Sequence, residues 1–130
     1  MKKTFLIFAL LVLIPSLLPA GEYESKGKAG DYTVVVRIDK NPPAMGNNAM
    51  DIYITDKNKQ PVTDAQVKVH YLMPSLPGKP PMMEYDTEAT LKDNHYLARM
   101  NLSMAGKWSV IVSVIRAGKT GTMTFSFFVK

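Results

Sequence analysis

Apolar and polar residues alternate with a period of two along most of the chain after residue 31. Alternate residues of a β-strand point to the same face of a sheet, so each run predicts a strand with one buried and one solvated face. The predicted buried positions are Tyr32, Val34, Val36 and Ile38; Met50, Ile52 and Ile54; Ala65, Val67, Val69 and Tyr71; Tyr96, Ala98, Met100 and Leu102; Trp108, Val110, Val112 and Val114; and Met123, Phe125, Phe127 and Val129. Trp108 is expected in the core, packed among Val34, Val69 and Val112.

Turn residues separate these runs. Reversals are predicted around Asn58, at Asp93–Asn94 and around Gly118, with positive φ at Asn94. Residues 82–92 are interpreted as one strand that forms a hairpin with residues 95–102. About seven short antiparallel strands without a helical pattern predict an all-β fold, an immunoglobulin-like β-sandwich over residues 31–130.

The first twenty residues have the pattern of a secretory signal peptide. Lys2 and Lys3 precede an apolar run from Phe5 to Ile14, and the small residue Ala20 marks the expected cleavage site. An uncleaved N-terminal anchor is the alternative. Residues 21–30 are polar and are expected to form a flexible leader. The protein is therefore predicted to be periplasmic or otherwise exported, and membrane-anchored if the signal segment is retained.

Composition and motifs exclude several classes of function. The chain has no cysteine, which excludes disulfides, thiolate metal sites and cysteine nucleophiles. The formal net charge of +5 falls to +3 without Lys2 and Lys3, and the other lysines are scattered, so nucleic acid is not an expected partner. We expect no enzymatic activity, because the chain has no Gly-x-Ser-x-Gly, His-Glu-x-x-His or phosphate-binding glycine motif.

Methionines are concentrated in three predicted loops. These are Met45 in NPPAMGN, the set Met73, Met82 and Met83 around MPSLPGKPPMM, and Met104 in SMAGK. Successive strands of a sandwich run in opposite directions, so the connections after the first, third and fifth predicted strands share one end. Loops at one end of a sandwich commonly form binding sites.

Two interpretations of these methionines remain open. Methionine is an adaptable filler of apolar cores, and the loop methionines could simply close the end of the sandwich. Thioethers are also soft ligands that suit Cu(I), whereas the nearby acids Glu84 and Asp86 are too few for calcium or magnesium. The candidate metal ligands are Met73, Met82, Met83 and Met104.

The two histidines are not included in this candidate site. His70 points outward from its strand, three residues before Met73, and a solvated residue is favoured over a peripheral ligand. His95 follows the Asp93–Asn94 turn at the opposite end and is expected to be a surface turn residue.

Four segments resemble, in their order and spacing, the YtkA-like/FixH-like domain family: NPPAMGNN, DKNKQPVTDAQVKV, MPSLPGKPPM and NHYLARMNLSMAGKWSVIV. The resemblance covers roughly residues 32 to 129. Family members are exported or membrane-anchored immunoglobulin-like domains, and several are associated with copper-transporting ATPases, haem–copper oxidase assembly or heavy-metal efflux. The resemblance therefore implies a role in copper handling. Leu76 stands where many relatives carry a second methionine, and Asn94 where a glycine is usual.

Two hypotheses of function result. In the first, the protein is an exported copper-handling accessory protein that binds Cu(I) through methionines at one loop end. It delivers the ion to an envelope partner, such as a copper transporter or an oxidase assembly factor. In the second, it is a non-catalytic protein–protein interaction module of the envelope with no metal, and the outward residues Tyr53, Ile111 and Ile115 extend its docking face.

Overall fold

The computed structural model describes residues 22–130, and the predicted signal peptide over residues 1–20 lies outside that range. The described chain forms nine strands and no helix, and therefore contains no helix that could cross a membrane. The strands are β1 (Tyr23–Ala29), β2 (Tyr32–Ile38), β3 (Gly46–Thr55), β4 (Gln66–Met73), β5 (Met83–Glu88), β6 (Thr90–Lys92), β7 (His95–Leu102), β8 (Gly106–Arg116) and β9 (Lys119–Val129).

The strands form two antiparallel sheets that pack into a β-sandwich. One sheet has the order β1-β2-β3-β7-β6 and the other has the order β5-β4-β8-β9. Apart from β1, these orders match strands A, B, E and D of an immunoglobulin domain, and strands C′, C, F and G of its second sheet. The predicted fold class is confirmed, with nine strands instead of seven.

The core lies between the two sheets and consists of the residues that the alternation predicts. All predicted positions are buried except Tyr32 and Ala65, which are half-buried and pack against the core. Two tyrosine hydroxyls also link the sheets. Tyr71 on β4 accepts a hydrogen bond from the Asn101 N–H at 3.1 Å, and Tyr96 on β7 accepts one from the Ala65 N–H at 3.1 Å.

The predicted flexible leader, residues 21–30, instead contains strand β1, which pairs with the whole of β2. A Cβ added to Gly27 would lie 3.1 Å from the Met123 side chain, and one added to Gly121 would lie 2.6 Å from the Ala29 backbone. Strand β1 thus approaches β9 so closely that large apolar side chains do not fit. For this reason the hydrophobic alternation that predicts the other strands is missing here.

Residues 82–92, predicted as one strand, are divided between the two sheets. Strand β5 pairs with β4, whereas β6 pairs with β7. The chain crosses at Ala89, whose N–H still donates to the Val67 oxygen at 2.9 Å. Both β5 and β6 are antiparallel to their neighbours and the chain keeps its direction through the crossing. The loops that carry the methionines therefore still lie at the same end.

The three predicted reversals are all present. In the β6–β7 turn, however, it is Asp93 and not Asn94 that has positive φ, at 58°. Aspartate tolerates this conformation because its short polar side chain bonds locally. The β8–β9 hairpin turns through Ala117 and Gly118, at φ 52° and 76°, a pair of positive values that matches the twist of the strands.

Candidate metal-binding site at the methionine end

The loops 39–45, 74–82 and 103–105, with the strand ends beside them, lie at one end of the sandwich, called here the methionine end. In the second sheet this end is closed by the pairing of Met73 on β4 with Met83 on β5. The Met82 N–H also donates to the Met73 oxygen at 3.0 Å. Three of the four predicted ligands are therefore held side by side by backbone hydrogen bonds.

The fourth predicted ligand, Met104, lies in the β7–β8 connection, and residues on both sides of it contact the other methionines. The Ser103 hydroxyl donates to the Met83 sulfur at 3.2 Å. On the other side, a Cβ on Gly106 would lie 2.6 Å from the terminal methyl of Met73. The structure thus places the segment that carries Met104 beside Met73 and Met83, which come from a separate part of the chain.

These methionines differ in their exposure to solvent. Met82 is 63% exposed and Met104 is 40% exposed, whereas Met73 is only 7% exposed. Met83 is half-buried and packs against the core. Two of the four side chains, Met82 and Met104, are therefore open to solvent, whereas Met73 and Met83 pack against the core.

A fifth methionine is held at the same end by a buried polar residue that sequence reasoning missed. Asn48 is fully buried, and its amide binds the loop before β3: Oδ1 accepts from the Ala44 N–H at 3.0 Å, and Nδ2 donates to the Ala44 and Gly46 oxygens at 2.7 and 3.0 Å. Met45 lies inside this bonded loop and is 55% exposed. The only sequence signal was the run of asparagines after NPPAMG.

His70 is more strongly bonded than its predicted role as a solvated residue implies. Its Nδ1 lies 2.6 Å from Asp86 Oδ1 and its Nε2 lies 2.8 Å from Glu84 Oε2. The hydrogen bond to Asp86 is the main reason that the pKa of His70 is raised above its ordinary value. Because each ring nitrogen faces a different carboxylate, this cluster is a charged clamp between β4 and β5, and the geometry does not suit a shared metal ion.

His95 begins β7 and is not the exposed turn residue that the sequence predicts. Its side chain is only 14% exposed, its Nε2 lies 3.0 Å from Asp51 Oδ1, and its ring stacks on Tyr53 with centroids 4.6 Å apart. Within residues 22–130, no group of three or more His, Asp or Glu side chains could hold a metal ion. The methionine end offers thioether sulfur, a soft ligand that suits Cu(I) better than harder cations.

The fold and this loop end define a small immunoglobulin-like domain that presents methionine and proline loops at one end. The chain belongs to the YtkA-like family, whose family model matches residues 26–113. No curated protein matches the chain. Its structure is similar to the crystal structure of the PmoD soluble domain from Methylocystis sp. ATCC 49242 (Rockwell), with a TM-score of 0.54. The two share 16% sequence identity over 82% of this chain and 96% of that chain, which establishes a common fold alone.

Proposed function

We propose that this protein binds Cu(I) at the methionine end and delivers it to another protein of the cell envelope. The observation that carries the proposal is the contact of Ser103 with the Met83 sulfur, because it joins the Met104 segment to the Met73–Met83 pair. Soft-ligand chemistry and membership of the YtkA-like family support the same conclusion.

The difference in exposure suggests separate roles for the ligands. Met82 and Met104 are open to solvent and are proposed to meet the ion first. The half-buried Met83 and the buried Met73 are proposed to complete the set of thioether ligands. A site made of thioethers alone binds more weakly than one that includes thiolates, and weak binding suits transfer better than storage.

The setting of this activity is also part of the proposal. The signal-peptide pattern of residues 1–20 supports a periplasmic or otherwise exported protein, anchored in the membrane if that segment is retained. Copper is then cargo and not a catalytic cofactor. We propose no enzymatic activity for the domain.

Anaerobic Cu(I) titration against a competing chelator tests the proposal. The test variant is Met82→Leu with Met104→Leu, because both side chains are exposed and leucine preserves most of their volume. The matched control is Met50→Leu with Met100→Leu, which removes two sulfurs that are fully buried in the core. We expect the test variant to bind Cu(I) more weakly by at least an order of magnitude, and the control to match the wild type.

Equal binding by the test variant and the wild type would contradict the assignment of Met82 and Met104 as ligands. Absence of Cu(I) binding by the wild type would contradict the proposed function. In the second case the metal-free interaction module becomes the supported function. Thermal unfolding of each variant, measured alongside, separates loss of ligands from loss of fold.

A further inference from the structure

Exposed apolar side chains are concentrated at the methionine end. Seven large apolar residues are exposed within residues 22–130, and five of them lie at this end: Met45, Leu76, Met82, Met104 and Phe128, at 55%, 71%, 63%, 40% and 68% exposure. A sixth, Tyr85, lies just below them on β5, and only Leu91 lies near the opposite end. Single exposed apolar residues are ordinary, but the concentration of five of the seven at one end marks an interaction surface.

Basic residues stand among these apolar side chains. The segment Leu76–Lys79 forms a tight turn in which the Lys79 N–H donates to the Leu76 oxygen at 3.0 Å, with Gly78 at φ 83°. Leu76 and Lys79 are thereby presented together at the tip of the loop. Lys107 pairs with Phe128 across β8 and β9, and Lys130 follows that strand.

The acidic residues near this end do not cancel those charges. Glu84 is bonded to His70, and Asp39 lies 3.6 Å from the Lys40 amine. In the part of the chain that the structure describes, Lys79, Lys107 and Lys130 are exposed and belong to no ion pair. Glu22, just before β1, is also in no ion pair within residues 22–130, so the three lysines leave a small excess of positive charge beside the apolar side chains.

The polypeptide also enters the domain at this end. Tyr23, the first residue of β1, pairs with Ile38, the last residue of β2. The apolar run Phe5–Ile14 precedes Tyr23 by only eight residues, which span at most about 29 Å when fully extended. If that run is retained in a membrane, the domain is tethered to the lipid surface from its methionine end.

We propose that the methionine end rests on the surface of a bilayer that contains anionic lipid. Leu76 and Phe128 enter the headgroup layer, and the lysines beside them lie against lipid phosphates. Mixed apolar and basic side chains are typical of surfaces that lie in a membrane interface, whereas the core of a protein–protein interface is depleted of lysine. The proposal goes beyond copper binding, since lipid contact requires apolarity and charge but no thioether.

Single labels on the full chain test this orientation, and the absence of native cysteine makes them specific. An environment-sensitive fluorophore is attached at Ser75→Cys in the exposed loop or, as a control, at Asn94→Cys in the exposed turn at the opposite end. Vesicles contain phosphatidylcholine alone or mixed with phosphatidylglycerol, together with a spin-labelled quencher lipid, in copper-free buffer with a chelator. We expect quenching and a blue shift at position 75 with the mixed vesicles, and aqueous emission at position 94.

Matched variants separate contact by this surface from simple tethering by the N-terminal run. Leu76→Ser with Phe128→Ser, or Lys79→Glu with Lys107→Glu, should reduce the quenching at position 75 several-fold, whereas Leu91→Ser should leave it unchanged. Equal signals at positions 75 and 94, or quenching at position 75 that survives both double variants, would overturn the proposal. Aqueous emission at position 75 with every vesicle would also overturn it and would assign this end to a protein partner. Because the buffer contains no copper, a negative result in this lipid test does not bear on the Cu(I) titration, and the two proposals can fail independently.

Discussion

The indole Nε1 of Trp108 donates a hydrogen bond of 3.0 Å to the backbone oxygen of Met104. Trp108 is fully buried and packs against the rings of Tyr71 and Tyr85, with centroids 5.9 and 6.3 Å away. The largest side chain of the core therefore fixes the turn that carries an exposed predicted ligand. This contact couples core packing to the geometry of the methionine end.

Replacement of Trp108 should separate its two roles. Trp108→Phe keeps an aromatic ring but loses the donor to Met104, and we expect a loss of about 1–2 kcal/mol in the free energy of unfolding. Trp108→Ala also leaves a cavity and should cost about 3–5 kcal/mol. Denaturant unfolding measures both values. Amide hydrogen exchange over residues 103–106 should speed up in Trp108→Phe more than exchange over β2 and β3, and a uniform change would contradict the coupling.

Glycine is required at position 106 for two reasons. Its φ is +132°, and an added Cβ would lie 2.6 Å from the terminal methyl of Met73. The backbone strain should cost about 1–3 kcal/mol in Gly106→Ala, and the flexible Met73 side chain must also move.

Gly118→Ala is the matched control, because Gly118 also has positive φ, at +76°, but nothing lies within 4 Å of its added Cβ. Thermal unfolding should show the larger loss for Gly106→Ala. An equal loss in the two variants would mean that neither the φ of Gly106, which is less favourable for alanine, nor the contact with Met73 adds to the cost.

The clamp of His70 on β5 should make stability depend on pH. The hydrogen bond to Asp86, with help from Glu84, raises the pKa of His70 in the folded state. A raised pKa means that the folded state binds the proton more tightly, so the stabilisation is fully present below the unfolded pKa of about 6.5 and is lost as the pH rises through the folded value.

The difference in unfolding free energy between the wild type and His70→Gln should therefore be larger at about pH 5.5 than at about pH 9. Asp86→Asn removes the main cause of the shift and should abolish most of that pH dependence. A difference that grows toward high pH would contradict the sign of the effect. NMR titration of the His70 ring gives the folded pKa directly.

The buried face of most strands could be predicted from the sequence, because each of those strands buries one side against the opposite sheet. In β8 and β9, every second residue from Trp108 to Val114 and from Met123 to Val129 is buried as predicted. Trp108 itself lies four residues closer to the methionine end than Val112, the partner of Val69, so its aromatic neighbours are Tyr71 and Tyr85. Alternation gives the face of a residue but not its neighbours along the strand.

The sequence-based predictions failed where tertiary packing overrides local pattern. Strand β1 was missed because Gly27 and Ala29 are small where β9 comes close. The change of sheet at Ala89 has no glycine or proline signal, and depends on which neighbouring strand offers free hydrogen-bonding groups.

At the methionine end, too, the sequence pattern predicts some features and tertiary packing determines the others. Its loops could be predicted to share one end, since strand direction alone determines that. The polar contacts that shape it could not be predicted, because Ser103 and Met83, or His70 and Asp86, come together only through cross-strand register.

The hydrogen bond from Ser103 to the Met83 sulfur provides a test of one ligand. Its length is 3.2 Å, and it occupies one of the two lone pairs of the thioether sulfur. If Met83 is a ligand, Ser103→Ala should tighten Cu(I) binding about two- to fivefold, since a hydrogen bond of this kind contributes about 0.5–1 kcal/mol.

Ser103 is exposed, so its replacement should change the unfolding free energy little. Ser75→Ala, an exposed serine in the neighbouring loop, is the matched control and should leave Cu(I) affinity unchanged. Chelator competition measures the wild type, Ser103→Ala, Ser75→Ala and Met83→Leu under the same anaerobic conditions. Unchanged affinity in Ser103→Ala, together with unchanged affinity in Met83→Leu, would remove Met83 from the ligand set. Cu(I) binding would then depend on the exposed side chains of Met82 and Met104, and Met73 and Met83 would contribute only apolar packing.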